Sequence, residues 1–165
     1  MGQLTFKELD EANFEEYKNY LLHSEEIFPE KIRSSIEDYK DMLLDPNNIA
    51  ILGFLDNNYV GNIIGATLID EEFDEYGYDR NKKIIYLYNI VIEKEYQGRG
   101  FGYELTKEFV RVAKEQGFEI LIGHFRQNSS VSLIKKFGAV IKSTHPNWEE
   151  SGEDYFFCEV DLTKV

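Results

Sequence analysis

The chain has 165 residues, 42% of them hydrophobic and 15% aromatic, with a formal net charge of −13. At this length folding buries roughly 70% of the unfolded surface, enough for a single domain over 1–165, and so core-rich a composition excludes a disordered chain. The charge argues against nucleic acid as a partner, the lone Cys158 excludes a disulfide framework or cysteine-based metal site, and no apolar run approaches the ~20 residues that span a membrane.

In chain order, residues 3–8 predict a short strand. Asp10 is placed to cap a helix whose apolar stripe is Phe14, Tyr17, Leu21 and Leu22. A second helix follows Ser34 or Ser35, with Ile36, Tyr39, Leu43 and Leu44 on one face, and Asp45-Pro46-Asn47-Asn48 stops it. Strand 49–55 leads through Asp56-Asn57-Asn58 into strand 59–69, where Gly53, Gly61 and Gly65 signal bulges or close backbone approach. Residues 70–82, acidic and polar, are expected to form a loop. Lys83–Ile92 is a near-continuous apolar run interrupted by Asn89, as suits a central strand buried on both faces. A helix at 101–116 turns Leu105, Phe109, Val112 and Ala113 inward and stops at Gly117. Strand 118–125, a helix at 129–137 stopped by Gly138, and strands near 139–145 and 154–162 complete a mixed α/β order, β-α-α-β-β-β-α-β-α-β-β. Pro29, Pro46 and Pro146 all fall in connections.

The start of the chain carries no apolar core of signal-peptide length, and Phe6 stands where a myristoylation motif wants Ser or Thr after Met1-Gly2. With one cysteine, this predicts a cytoplasmic protein. Charge is uneven: residues 1–79 hold 19 acids and 5 bases, residues 80–165 hold 12 acids and 13 bases. The asymmetry serves solubility, or it faces a cationic substrate with the first half and an anionic cofactor with the second.

Gln97-Gly98-Arg99-Gly100-Phe101-Gly102 sits between the strongest strand and an amphipathic helix. A helix start offers free N–H groups and the positive dipole end, and alternating glycines let the backbone wrap a phosphate. Arg99 can add charge. No Gly-Lys-Ser/Thr follows, so this is not a P-loop, and the spacing is Gly-x-Gly-x-Gly, not the Rossmann Gly-x-Gly-x-x-Gly.

Ile90-Val91-Ile92 followed by Glu93 through Gly102 resembles the signature of the GCN5-related N-acetyltransferases: a strand, a short link, then Gln/Arg-x-x-Gly-x-Gly/Ala opening a helix. Gln97, Gly100 and Gly102 fill its defining positions, and Phe118–Ala139 resembles the family's next strand–helix unit. The resemblance implies a mixed, mostly antiparallel sheet, split between the strands 83–92 and 118–125 and flanked by about four helices. It implies acetyl-CoA as cosubstrate. Ile90, Val91 and Ile92 would offer the strand edge to its pantetheine arm, Val91 and Ile92 through their backbone. The amides of Gln97, Gly98, Arg99, Gly100, Phe101, Gly102 and Tyr103 would hold the pyrophosphate. The reaction implied is direct attack by a primary amine (a small amine, an amino-sugar or a peptide amine) on the thioester. The other reading is an acyl-CoA-binding sensor or interaction module without turnover.

Ile134 stands where many members carry the tyrosine that protonates the leaving thiolate, and Asn128 lies one residue closer to Gly138 than the family's usual Asn. Asn128 is thus either a cofactor contact or a helix-start residue. His124 and Tyr88 are the candidate proton-transfer groups, His124 because an imidazole titrating near 7 suits the task. Tyr86 shares Tyr88's strand face, and Asn89 needs a polar partner. The loop His145–Tyr155 either closes over an amine with Trp148 as a cation–π face, or is a hairpin turn or a contact in a homodimer. The acidic stretch 71–76 is either a solvated segment or a lip for the acceptor.

Overall fold

The computed structural model describes residues 3–28 and 30–165; Met1, Gly2 and Pro29, with the readings made of them, lie outside these. Twelve elements follow in order: β1 (Leu4–Glu8), α1 (Phe14–Glu25), α2 (Ile36–Leu43), β2 (Ile49–Leu55), β3 (Asn58–Thr67), α3 (Asp70–Tyr76), β4 (Ile84–Ile92), α4 (Phe101–Glu115), β5 (Ile120–Arg126), α5 (Ser129–Lys135), β6 (Val140–His145) and β7 (Tyr155–Asp161). The strands form one seven-stranded sheet in the order β1-β2-β3-β4-β5-β7-β6. Every neighbouring pair is antiparallel except β4 and β5.

The fold is the expected split, mostly antiparallel α/β sheet, with element ends within a few residues of prediction and one helix more than expected. That helix is α3, in the stretch read as a loop. Its polar sequence hides its anchors: Phe73 and Tyr76 pack on a cluster around Ile84, Ile122 and Phe157. Glu72 accepts from the Ile69 amide at 3.0 Å, acids fill the positive first turn, and Gly77 ends the helix at φ 76°. Arg80 pairs with Asp74 at 2.9 Å across the turn that follows.

The N-cap of α1 is Asn13 rather than Asp10. The two instead exchange hydrogen bonds, each amide donating to the other's side-chain oxygen at 2.9 Å, which fixes the entry to the helix. For α2 the cap is Ser35, in a capping box with Asp38. Ser34 is thereby left free for other contacts. Leu22 and Leu44 are exposed, against expectation: Leu22 lies a sixth of a turn or more off the buried stripe of Phe14 and Leu21, and Leu44 is already past the last turn of α2.

Two apolar layers sandwich the sheet. α4 and α5 cover one face, with Leu105, Phe109, Val112, Ala113 and Ile134 buried against Ile51, Ile63 and Ile85. α1 and α2 cover the other near Leu52 and Ile64. The pairing shifts register at Gly53/Phe54 and at Ile64/Gly65, so the bulges hinted at by glycine are present. Opposite the second of these, Ile64 pairs with Asn89 and Gly65 with Leu87, so Tyr88 is the extra residue in β4. Cys158 is a buried thiol, as expected.

Candidate active site

The parallel pairing of β4 with β5 is short. It runs only from Ile84–Ile120 to Tyr86–Ile122. Beyond that, Leu87–Ile92 keep β3 on one side and have no strand on the other, while β5 stays bonded to β7 along its full length to Arg126. The sheet therefore opens at its centre. A cavity of about 1170 Å³ occupies the opening, with Ile90, Val91 and Ile92 on one wall and Phe125 and Arg126 on the other.

The glycine loop forms one end of this cavity. A short 3-10 turn, Lys94–Tyr96, leads out of β4, and the Gln97 side chain donates to the Ile92 carbonyl at 3.0 Å, tying the loop to the strand end. Gly98 and Gly100 take φ values of 75° and 86°, a region closed to most side chains. Among the described residues nothing accepts from the amides of Gly98 through Tyr103. A run of unpaired N–H groups at a helix start, beside the positive dipole end, is a site for an anion. Gln97, Gly98, Gly100, Phe101, Gly102 and Tyr103 all line the cavity.

Arg99 does not line it. Its guanidinium lies over the rings of Tyr96 (5.6 Å) and Phe101 (5.5 Å), so the charge assigned to it is turned away. Lys94 and Lys136 are the lysines that line this end instead. Asn128 lines the cavity and also caps α5, accepting from the Ser130 amide at 2.8 Å. Ile134 is 1% exposed in the core, and Leu133 reaches the cavity in its place. Neither can donate a proton. Hydroxyl-bearing residues do line the wall, Ser129, Ser130, Ser132, Tyr103 and Tyr155 among them.

At the other end, His124 sits in an aromatic stack. Trp148 lies on it with centroids 3.8 Å apart and 13° between planes, and the Tyr86 hydroxyl shares a 2.5 Å hydrogen bond with Nδ1. Trp148 is thus half-buried with one face already taken, not an open cation–π platform. Burial first, and the neighbouring His145 second, push His124 down to about 3. It does not titrate near 7, and so weak a base is poorly suited to take a proton.

The stability consequence has a definite sign. The unfolded residue binds its proton near 6.5, the folded one near 3. Between those values the unfolded state holds more protons, so the contribution of His124 is fully present above 6.5 and is lost as pH falls toward 3. His124→Asn keeps a partner for Tyr86 without the titration. Its urea midpoint is expected to fall less between pH 8 and pH 5 than that of the wild type. An equal fall in both proteins would show that His124 is not held neutral by burial.

Tyr88 and Asn89 both face α1 and α2 beside the bulge. The Tyr88 hydroxyl bonds Ser34 Oγ, and Asn89 Nδ2 donates to the Tyr39 hydroxyl at 3.1 Å. Glu25, the last residue of α1, joins them and lines the cavity. Burial raises its carboxyl to about 7, although the Ser34 amide and Arg33 favour its charge. Sequence reasoning missed Glu25. The available signal was a carboxylate in the final turn of a helix, the end where the dipole disfavours it. α3 and its acids line none of this cavity. Among the described residues no group of three or more His, Cys, Asp or Glu side chains is placed to hold a metal, and no helix is long and apolar enough to cross a membrane.

Comparison with known proteins agrees with this geometry. The model of the acetyltransferase (GNAT) family matches residues 7–139. No curated protein matches the sequence significantly. The fold is similar to that of the ribosomal-protein-S18-alanine N-acetyltransferase from Escherichia coli, at 14% identity over 97% of this chain and 94% of that one, with a TM-score of 0.72. A chain from Salmonella typhimurium, described with acetyl-CoA as its cofactor, is 13% identical over 97% and 94%, with a TM-score of 0.71. A chain of the NatC complex bound to Gag peptide and CoA is 15% identical over 96% and 98%, with a TM-score of 0.77.

Proposed function

Since the chain belongs to the acetyltransferase (GNAT) family, whose members transfer acetyl groups from acetyl-CoA, we propose that it acetylates a primary amine by direct attack on the thioester. The observation that carries this is the open edge of β4 running into a cradle of unpaired amides. The two features suit the two parts of acetyl-CoA. An extended pantetheine arm can pair with Val91 and Ile92 as a strand would, beside Ile90. A pyrophosphate can take the amides of Gly98 through Tyr103, with Lys94 and Lys136 adding charge. The thioester supplies an activated acetyl group, and a strand N–H from β4 can hold its carbonyl oxygen as negative charge develops there.

No residue of the chain has to act as nucleophile, which suits the buried Cys158 thiol, raised to about 11 by burial. Tyr88, at the far end of the cavity, serves in this reading to shape the acceptor pocket. His124 serves to brace Trp148. The acceptor is a small amine, an amino-sugar or a peptide amine, and residues 1–165 act as one acyltransferase domain, placed in the cytoplasm on its cysteine usage.

Calorimetry with acetyl-CoA, ATP and NAD tests the cradle, and release of free thiol from acetyl-CoA with an amine panel tests the reaction. Acetyl-CoA is expected to bind in preference to ATP and NAD, and at least one primary amine to release thiol. Tight acetyl-CoA binding with no release on any amine would instead make the protein an acyl-CoA sensor.

A further inference from the structure

The end of the cavity away from the glycine loop holds a carboxylate that cosubstrate binding leaves unexplained. Glu25 is 5% exposed, yet it lines the cavity. Its Oε2 accepts from the Ser34 amide at 3.0 Å, and its Oε1 accepts from the Tyr39 hydroxyl and, at 3.5 Å, from Asn89 Nδ2. Among the described residues no lysine, arginine or histidine forms an ion pair with it. The nearby cations are engaged elsewhere: Lys31 with Glu150 at 3.0 Å, Arg126 with Glu153 at 3.1 Å, and Arg33 with the Phe28 and Glu26 carbonyls. A buried carboxylate with no cation is costly, the more so at a helix C-terminus.

Beside it lies an acceptor that has no donor. Asn89 is 8% exposed and commits its Nδ2 to Tyr39 and Glu25, while its Oδ1 is buried with no partner. The Tyr88 bulge is what brings Asn89 to this side of β4 next to its neighbour. A carboxylate without a cation and an amide oxygen without a donor, both at one end of the cavity, fit a ligand group that is positively charged and only donates. An ammonium is such a group.

We propose that Glu25 and Asn89 hold the acceptor as its ammonium ion, with Asn89 Oδ1 orienting the nitrogen and Glu25 taking the proton that frees its lone pair. This rests on the reading of the cavity as the site of acetyl transfer to an amine. Glu25 receives one proton from the ammonium. The freed pair forms the N–C bond at the thioester carbonyl carbon, and the C–S bond breaks with its electrons on sulfur. The thiolate takes the second proton that nitrogen sheds, so an amide and a thiol leave and Glu25 returns its proton to solvent.

The surroundings of Glu25 suit this role. Burial raises its carboxyl to about 7, the Ser34 amide and Arg33 oppose the rise, and Asp38 adds to it. Tyr39 faces it from α2, and Tyr88 and Asn89 from β4. A base that titrates near the working pH transfers protons efficiently.

The test uses the full chain, acetyl-CoA and four amines: putrescine, tyramine, ethanolamine and glycinamide. For any amine acetylated, kcat/KM in the wild type is expected to fall on the acid side of about pH 7. Glu25→Gln should lose about a hundredfold at pH 8 together with that acid limb, with the acetyl-CoA thermal shift unchanged. Tyr39→Phe removes a donor to the charged carboxylate, so it should keep the limb but move it to higher pH. Carbon-13 NMR of glutamate-labelled protein, without substrate, should show one carboxyl titrating near 7 that Glu25→Gln removes. A Glu25→Gln protein with wild-type kcat/KM and acid limb, or no carboxyl titrating in that range, would overturn the role of Glu25 and leave acetyl transfer standing. Acetyl-CoA binding with none of the four amines acetylated would sink both.

Discussion

Phe109→Ala is expected to cost about 3–5 kcal/mol of folding stability, and Gly65→Ala to cost less in that background than alone. Phe109 is fully buried at the centre of α4, against β3 and β4. Gly65 is where its ring meets the sheet: a Cβ there would lie 2.4 Å from Phe109 Cζ and 2.8 Å from Cε2. Alone, Gly65→Ala overpacks the contact and should destabilise by about 1–3 kcal/mol. Once the ring is gone, the same methyl enters the space left behind. Urea unfolding of the four proteins should therefore give a coupling of about 1–3 kcal/mol. Additive losses would mean that the ring and the glycine do not compete for one volume. If the alanine form is too unstable to measure, Phe109→Leu carries the same cycle at smaller amplitude. The contact matters beyond stability, because it seats α4, and α4 begins at the glycine loop.

What the sequence made legible follows from how local each signal is. The run Ile84–Ile92 and the stripe Leu105, Phe109, Val112, Ala113 carry their own periodicity, and β4 and α4 lie where those patterns put them. The glycine loop was legible because positive φ and unpaired amides are written in residue type and spacing. α3 was not, because its helix depends on Phe73 and Tyr76 reaching Ile84 and Phe157, contacts that no local window contains. Arg99 failed for a similar reason. Its composition promised charge to the loop, but two neighbouring rings offered its guanidinium a closer partner. His124 shows the limit for chemistry: residue type gives the unperturbed titration, and only burial under Trp148 and Tyr86 reverses it. The meeting of Glu25, Tyr39 and Asn89, from three elements, is set by a bulge and by helix docking, which spacing along the chain does not encode.

Gly100→Glu is expected to weaken acetyl-CoA binding by about a thousandfold, while Gly100→Ala weakens it by about tenfold. Gly100 holds φ 86° at the N-cap of α4, and a Cβ there meets nothing within 4 Å. Space is therefore not the obstacle. A left-handed conformation costs a non-glycine residue roughly 1–2 kcal/mol, which accounts for the alanine effect if the loop relaxes. Glutamate adds a negative charge to the cradle. At about 4 Å and an effective dielectric near 20, one charge repels another by about 4 kcal/mol, so screened repulsion from a pyrophosphate supplies the larger share. Calorimetric Kd values for the three proteins check the order, with circular dichroism and melting temperature to show that α4 is intact. Added salt should recover part of the glutamate loss and little of the alanine loss. Equal losses in the two variants would mean that loop shape alone holds the ligand. Wild-type affinity in Gly100→Glu would place the pyrophosphate somewhere other than the amides that follow Gly98. A large charge-dependent loss is the outcome that ties the unpaired amides of residues 98–103 to an anion.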